Sequence, residues 1–173
     1  NVTLSAGAVS QSGGGVTAGG LKISAADDSA LESESNNVST LSASVTNGKD
    51  FNYVNAGSFT VGSVAGLDGV TTDGNVSLKA TTGNLTLDTD VIAGAAKSVF
   101  LQATAGNVTQ SAGHIAGDKV RVIASTGATL QRALNDVNTL AASISGTGNF
   151  SFVDADGFTV GTVSNFNGVT THN

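Results

Sequence analysis

Apolar and polar side chains alternate along most of this chain. In Val76-Ser77-Leu78-Lys79-Ala80 every second residue is apolar, and Leu85-Thr86-Leu87 and Phe158-Thr159-Val160 keep the same rhythm. A period of two turns one face of a strand toward a core and the other toward water. Gly and Asn gather between the alternating runs, where tight bends need them. The pattern predicts many short strands joined by tight turns. No segment carries a sustained helical spacing. The nearest, Ala124 to Leu134, could form one helical turn but is weakened by Gly127.

The pattern itself repeats. Asn36-Asn37-Val38-Ser39-Thr40-Leu41 returns 99 residues later as Asn135-Asp136-Val137-Asn138-Thr139-Leu140. Phe59-Thr60-Val61-Gly62-Ser63-Val64 returns as Phe158-Thr159-Val160-Gly161-Thr162-Val163, and Gly69-Val70-Thr71-Thr72 as Gly168-Val169-Thr170-Thr171. From Asn36 to Thr72, 18 of 37 positions are identical to their counterparts, without a gap. The chain is read as one unit, residues 1–173, holding a full copy (8–106) and a partial one (107–173) cut from a longer array.

A looser period lies inside the long one. Val76 to Ala80 resembles Val99 to Ala103, 23 residues on, and Val120 to Ala124 follows Val99 by 21. Units of about 20 residues suit the turns of a solenoid, each burying its apolar face against the turns above and below. A β-sandwich needs no such repeat. The expected fold is all-β, a β-solenoid of roughly eight to nine turns and about 40 Å in length at 4.8 Å per turn. About five turns per 99-residue copy would place Phe59 and Phe158 at the same angular position, about 24 Å apart. The expected core holds Leu41, Phe59, Val61, Val64, Leu78, Leu85, Leu101, Val122, Leu140, Phe158 and Val160.

Composition narrows the function. Aromatic residues make up 5% of the chain, with one Tyr and no Trp, so the core is narrow and aliphatic. The net charge is −6, and charged residues are only 12%. That balance disfavours nucleic acid, which needs a basic face, and anionic membrane surfaces. No apolar run reaches the ~18 residues of a membrane helix, so membrane insertion is not expected. There is no Cys and no Met, so thiol chemistry and disulfides are excluded.

Three stretches resemble the repeats of filamentous-haemagglutinin-like exoproteins of Gram-negative bacteria, which are exported by two-partner secretion. They are NVSLKATTGNLTL (Asn75 to Leu87), ATAGNVTQSAGHI (Ala103 to Ile115) and FTVGTVSNFNGVTT (Phe158 to Thr171). The resemblance covers essentially the whole chain. It implies a right-handed parallel β-helix, display at the bacterial surface or outside the cell, and an outer-membrane secretion partner. It also implies a stalk or fibre role in a large adhesin. The alternative role is a module that itself contacts host glycans, matrix or sister fibres. End-to-end self-association is a further expectation, because solenoid ends expose strand edges.

The candidate chemistry is sparse, and no catalytic residue, cofactor or metal site is expected. His114 and His172 stand opposite Gly15 and Asp73 in the repeat and share no metal-ligand spacing. Asp27-Asp28, Glu32/Glu34, Asp88/Asp90 and Asp154/Asp156 are the acidic pairs that a polysaccharide-cleaving β-helix could use. Arg121 and Arg132 are the only arginines. Asn-x-Ser/Thr triplets begin at Asn1, Asn37, Asn75, Asn84, Asn107 and Asn149. They suit turns followed by strands and also match the glycosylation acceptor pattern. An exposed cluster of Phe51, Tyr53 and Phe100 would mark a binding module.

Overall fold

The computed structural model describes residues 1–172, and all their regular structure is strand. The segment from Ala124 to Leu134 that hinted at a helical turn instead contains the strand Gly127–Leu130. Eighteen strands form one sheet, paired parallel throughout. Strands that recur in register must be stacked by a coiling chain. This one makes about eight turns of about 21 residues.

Three columns of strands make up the coil. The first climbs through residues 2–6, 21–25, 43–45, 70–72, 91–92, 115–116 and 136–137. The second holds 29–31, 51–55, 76–80, 99–103, 120–124, 140–144 and 169–171. The third holds 17–20, 37–40, 59–61, 85–87, 107–110, 127–130 and 150–152. Alternation sends every second side chain inward. Leu78, Leu101, Val122 and Ala142 therefore stack in register, as do Ala80, Ala103 and Ala124. Like residues stacked on like residues suit the close packing of a narrow core.

Nine of the eleven expected core residues are buried to 3% exposure or less: Leu41, Phe59, Val61, Val64, Leu78, Leu85, Leu101, Val122 and Leu140. Phe158 and Val160 are not, at 36% and 54% exposed. The difference is neighbourhood, not sequence. Phe59 is stacked against Leu85 of the following turn. Among the described residues, no strand stacks on Thr159–Val160 from that side.

The 99-residue copy does not span five turns. Residues 43–45 sit beneath 70–72, then 91–92, 115–116 and 136–137, four steps up the first column. Their repeat counterparts, 142–144, lie in the second column. One copy is therefore four turns and one face, a rotation of about a third of a circle and a rise of about 21 Å. The turns are longer than 20 residues on average. The step from Val45 to Thr72 spans 27 residues, and that from Val91 to Ile115 spans 24.

The longest turn has a cause. Thr40–Leu41 stack on Thr60–Val61, while Ala43–Val45 stack on Val70–Thr72. The chain between leaves the sheet as a small antiparallel hairpin, Ser63–Val64 paired with Leu67–Asp68. Ala65 and Gly66 turn it with φ of 49° and 77°, the left-handed pair that a two-residue hairpin requires. Gly69 N–H donates to Gly62 O at 3.1 Å and closes its base. The second copy repeats this with Thr162–Val163 and Phe166–Asn167, and Gly168 N–H donates to Gly161 O at 2.9 Å. Each hairpin folds back on the coil, so the outward-pointing Ser42 and its counterpart Ala141 are fully buried.

Candidate functional site

The most developed polar chemistry lies at the corners. Asn36 is fully buried. Its Oδ1 accepts from Gln11 Nε2 and Val16 N–H, both at 2.8 Å, and its Nδ2 donates to Gln11 Oε1, Leu31 O and Val54 O at 3.0 to 3.1 Å. Asn135, also fully buried, repeats the set with Gln110, Ile115, Leu130 and Val153. A side-chain amide can both give and accept, so it satisfies three successive turns at once.

Other corners are built as ladders in which a side chain of one turn caps the backbone of the next. Asp28 accepts from Asp50 N–H at 2.9 Å, Asp50 from Asn75 N–H at 2.7 Å, and Asn75 from Ser98 N–H at 2.9 Å. At another corner Ser58 accepts from Asn84 N–H, and Asn84 from Asn107 N–H at 2.8 Å. The triplet asparagines Asn75, Asn84 and Asn107 are thus structural members of the corners. The side chains of Asn1, Asn37 and Asn149 are exposed.

The acidic pairs do not converge with one another. Asp27 and Asp28 flank Lys49, at 2.7 and 3.5 Å, and this ammonium holds the Asp27 carboxyl below its ordinary range. Asp88 accepts from the Ser111 hydroxyl, while Asp90 accepts from His114 N–H at 2.9 Å and faces His114 Nδ1 at 2.8 Å. Asp154 occupies the place of Asn55 and accepts from Val137, Asp156 and Gly157 N–H. His172 Nδ1 lies 3.3 Å from Ile144 O. Among the described residues, no three His, Cys, Asp or Glu side chains gather closely enough to hold a metal ion.

The aromatic cluster divides. Phe51 and Tyr53 point inward and are buried, with Tyr53 donating to Asn55 Oδ1 at 2.8 Å. Phe100 points outward. It lines a trough of about 280 Å³ with Glu32, Glu34, Ser77, Lys79, Gln102 and Arg121. Lys79 reaches Glu34 at 2.9 Å. The Arg121 guanidinium lies 4.6 Å from the Phe100 ring centre and 5.0 Å from that of Phe166 on the second hairpin. Burial lowers the pKa of Arg121. The primary pattern holds one signal for this trough: Phe100, Arg121 and Glu32 all fall on outward phases of the alternation. It does not reveal that five turns bring them together.

No helix among the described residues is long and apolar enough to cross a membrane. In comparisons with known proteins, the chain matches no family model, no curated sequence and no solved structure.

Proposed function

We propose that this chain is a stalk module of a large adhesin, secreted or displayed on a bacterial surface, whose coil holds a distal functional region away from the cell. The observation that carries the reading is the rebuilding of one construction unit. The Asn36 network and the hairpin at residues 63–68 reappear at Asn135 and residues 162–167, and the coil continues through both. A unit that stacks on the end of the one before it lengthens a rod without new design. The parallel hydrogen-bonded stack resists bending, and the side-chain ladders tie each corner to the next.

Passage through an outer-membrane secretion partner and an extracellular location belong to the same proposal. They rest on the resemblance of Asn75 to Leu87, Ala103 to Ile115 and Phe158 to Thr171 to exported repeats. The experiment is electron microscopy of engineered arrays of two, four and six copies. The expected result is unbranched rods that lengthen by about 21 Å per copy. Compact particles of constant length would overturn the stalk reading.

A further inference from the structure

The trough beside Arg121 goes beyond a stalk. Lys49, Lys79 and Lys119 each stand within 4 Å of an acid. Arg121 has no acid and no hydrogen-bond acceptor among the described residues. Its charge is partly stripped of water and covered by two rings, without a counter-ion to offset the loss.

The fold does not need this arrangement. Ninety-nine residues earlier the counterparts of Phe100, Arg121 and Phe166 are Asn1, Lys22 and Leu67. There Lys22 donates to Ala65 O at 3.2 Å and ties the hairpin down directly. Around Arg121 the rings do the tying, and the guanidinium donors stay unspent beside a trough.

We propose that this trough binds a saccharide bearing one carboxylate, with Arg121 holding the carboxylate and Glu32, Ser77 and Gln102 holding sugar hydroxyls. The planar guanidinium fork matches a carboxylate through two parallel hydrogen bonds. Sugar hydroxyls donate to carboxylates and exchange bonds with amides and alcohols, and Phe100 offers an apolar edge to a sugar's C–H face. A volume of about 280 Å³ suits a saccharide of one or two rings. Glu32 has no cation partner among the described residues and stands four turns from Arg121, so it disfavours a polyanion such as a sulfated chain or a nucleic acid.

The test is a titration followed by amide NMR, with glucuronic acid linked to one neutral hexose as the probe. Saturable binding in the millimolar range is expected, with shifts at residues 77, 100–102 and 121. Arg121→Gln should weaken binding at least tenfold, and Arg121→Lys, which keeps the charge but loses the fork, should also weaken it. Glu32→Gln stands away from the hairpin. It should weaken the disaccharide several-fold and leave acetate affinity unchanged. Melting temperatures of all three variants separate a lost ligand contact from a lost fold. The proposal is overturned if acetate binds as tightly as the disaccharide, which would mean an adventitious anion only. It is also overturned if the neutral disaccharide or a sulfated hexasaccharide binds as well, or if no saturation appears by about 20 mM. None of these outcomes touches the rod measured on the arrays.

Discussion

Asn36 and Asn135, 99 residues apart, make the same five hydrogen bonds at two different corners of one coil. Asn36 stands between the second and third columns, and Asn135 between the third and first. Replacing Asn36 with Ala leaves Leu31 O alone in a buried site and removes the bonds of Gln11, Val16 N–H and Val54 O in half-buried ones. A buried donor or acceptor left alone costs about 1–3 kcal/mol. Asn36→Ala should therefore destabilise by about 3 kcal/mol or more in denaturant unfolding, and Asn135→Ala by a similar amount. Hydrogen exchange should accelerate first at the neighbouring amides: 16 and 38 for Asn36, and 115 and 137 for Asn135.

Ser42 and Ala141 give the opposite case. Both are covered by a hairpin, but Ser42 carries a hydroxyl with no hydrogen-bond partner. The second copy has dispensed with that oxygen. Ser42→Ala should stabilise the chain by about 1 kcal/mol, and Ala141→Ser should destabilise it by about 1–3 kcal/mol. Midpoints of urea unfolding for the two variants decide the matter. A loss of stability in Ser42→Ala would contradict the burial argument.

Tyr53 links the core to pH. Burial raises its phenol well above the usual value of about 10. The unfolded chain releases this proton near pH 10, while the folded chain keeps it. The contribution of Tyr53 is therefore fully present below about pH 10 and is lost as the pH climbs beyond it. Tyr53→Phe should cost about 1 kcal/mol at neutral pH through the lost bond to Asn55. It should also flatten the alkaline fall in stability relative to the parent. Because Tyr53 is the sole tyrosine, the rise of phenolate absorbance should coincide with unfolding and not precede it.

Phe59 and Phe158 show how position in the coil sets energy. Each ring makes an edge-to-face pair with its own copy's neighbour, Tyr53 at 5.3 Å and Phe152 at 5.2 Å. The two do not meet. Phe59 is 2% exposed and Phe158 36%. Phe59→Ala should cost about 3–5 kcal/mol, and Phe158→Ala about 1–2 kcal/mol. Exchange protection in the distant copy should survive either change.

The alternation made the inward set readable, because period two leaves no freedom in which side chains face the core once a strand is placed. It could not show where stacking ends, so Phe158 and Val160 looked identical to Phe59 and Val61. The hairpins were hidden for a related reason. Val64 falls out of phase with Phe59 and Val61, so the alternation breaks after Gly62, but a break in phase does not say that the chain doubles back as a hairpin at Ala65-Gly66. Phe51 and Tyr53 looked available for binding because aromatic residues are rare here, yet their phase in the strand Phe51–Asn55 turns them inward. The Arg121 trough depends on register across five turns, which no local pattern encodes.

The four-and-a-third-turn copy makes the sharpest prediction. If 99 residues were a whole number of turns, Ser143 would sit in the column of its counterpart Ser44. That column runs Ser44, Thr71, Ile92, Ala116 and then Asp136, whereas Ser143 stacks on Ile123. Stacked partners in a parallel sheet lie about 4.8 Å apart at Cα, within the span of about 4.4–6.8 Å that a disulfide bridges. The chain has no cysteine of its own, so an introduced pair reports without interference. Cysteines at 116 and 136 should oxidise readily to an internal bridge, as should a pair at 123 and 143. A pair at 116 and 143 should stay reduced under the same conditions, because those side chains lie on adjacent faces. A ready bridge between 116 and 143 would mean whole turns per copy. Failure of that pair, with success of the other two, would mean that successive copies present their hairpins about 120° apart around the rod. Counterparts in every third copy would then share a face, about 62 Å apart.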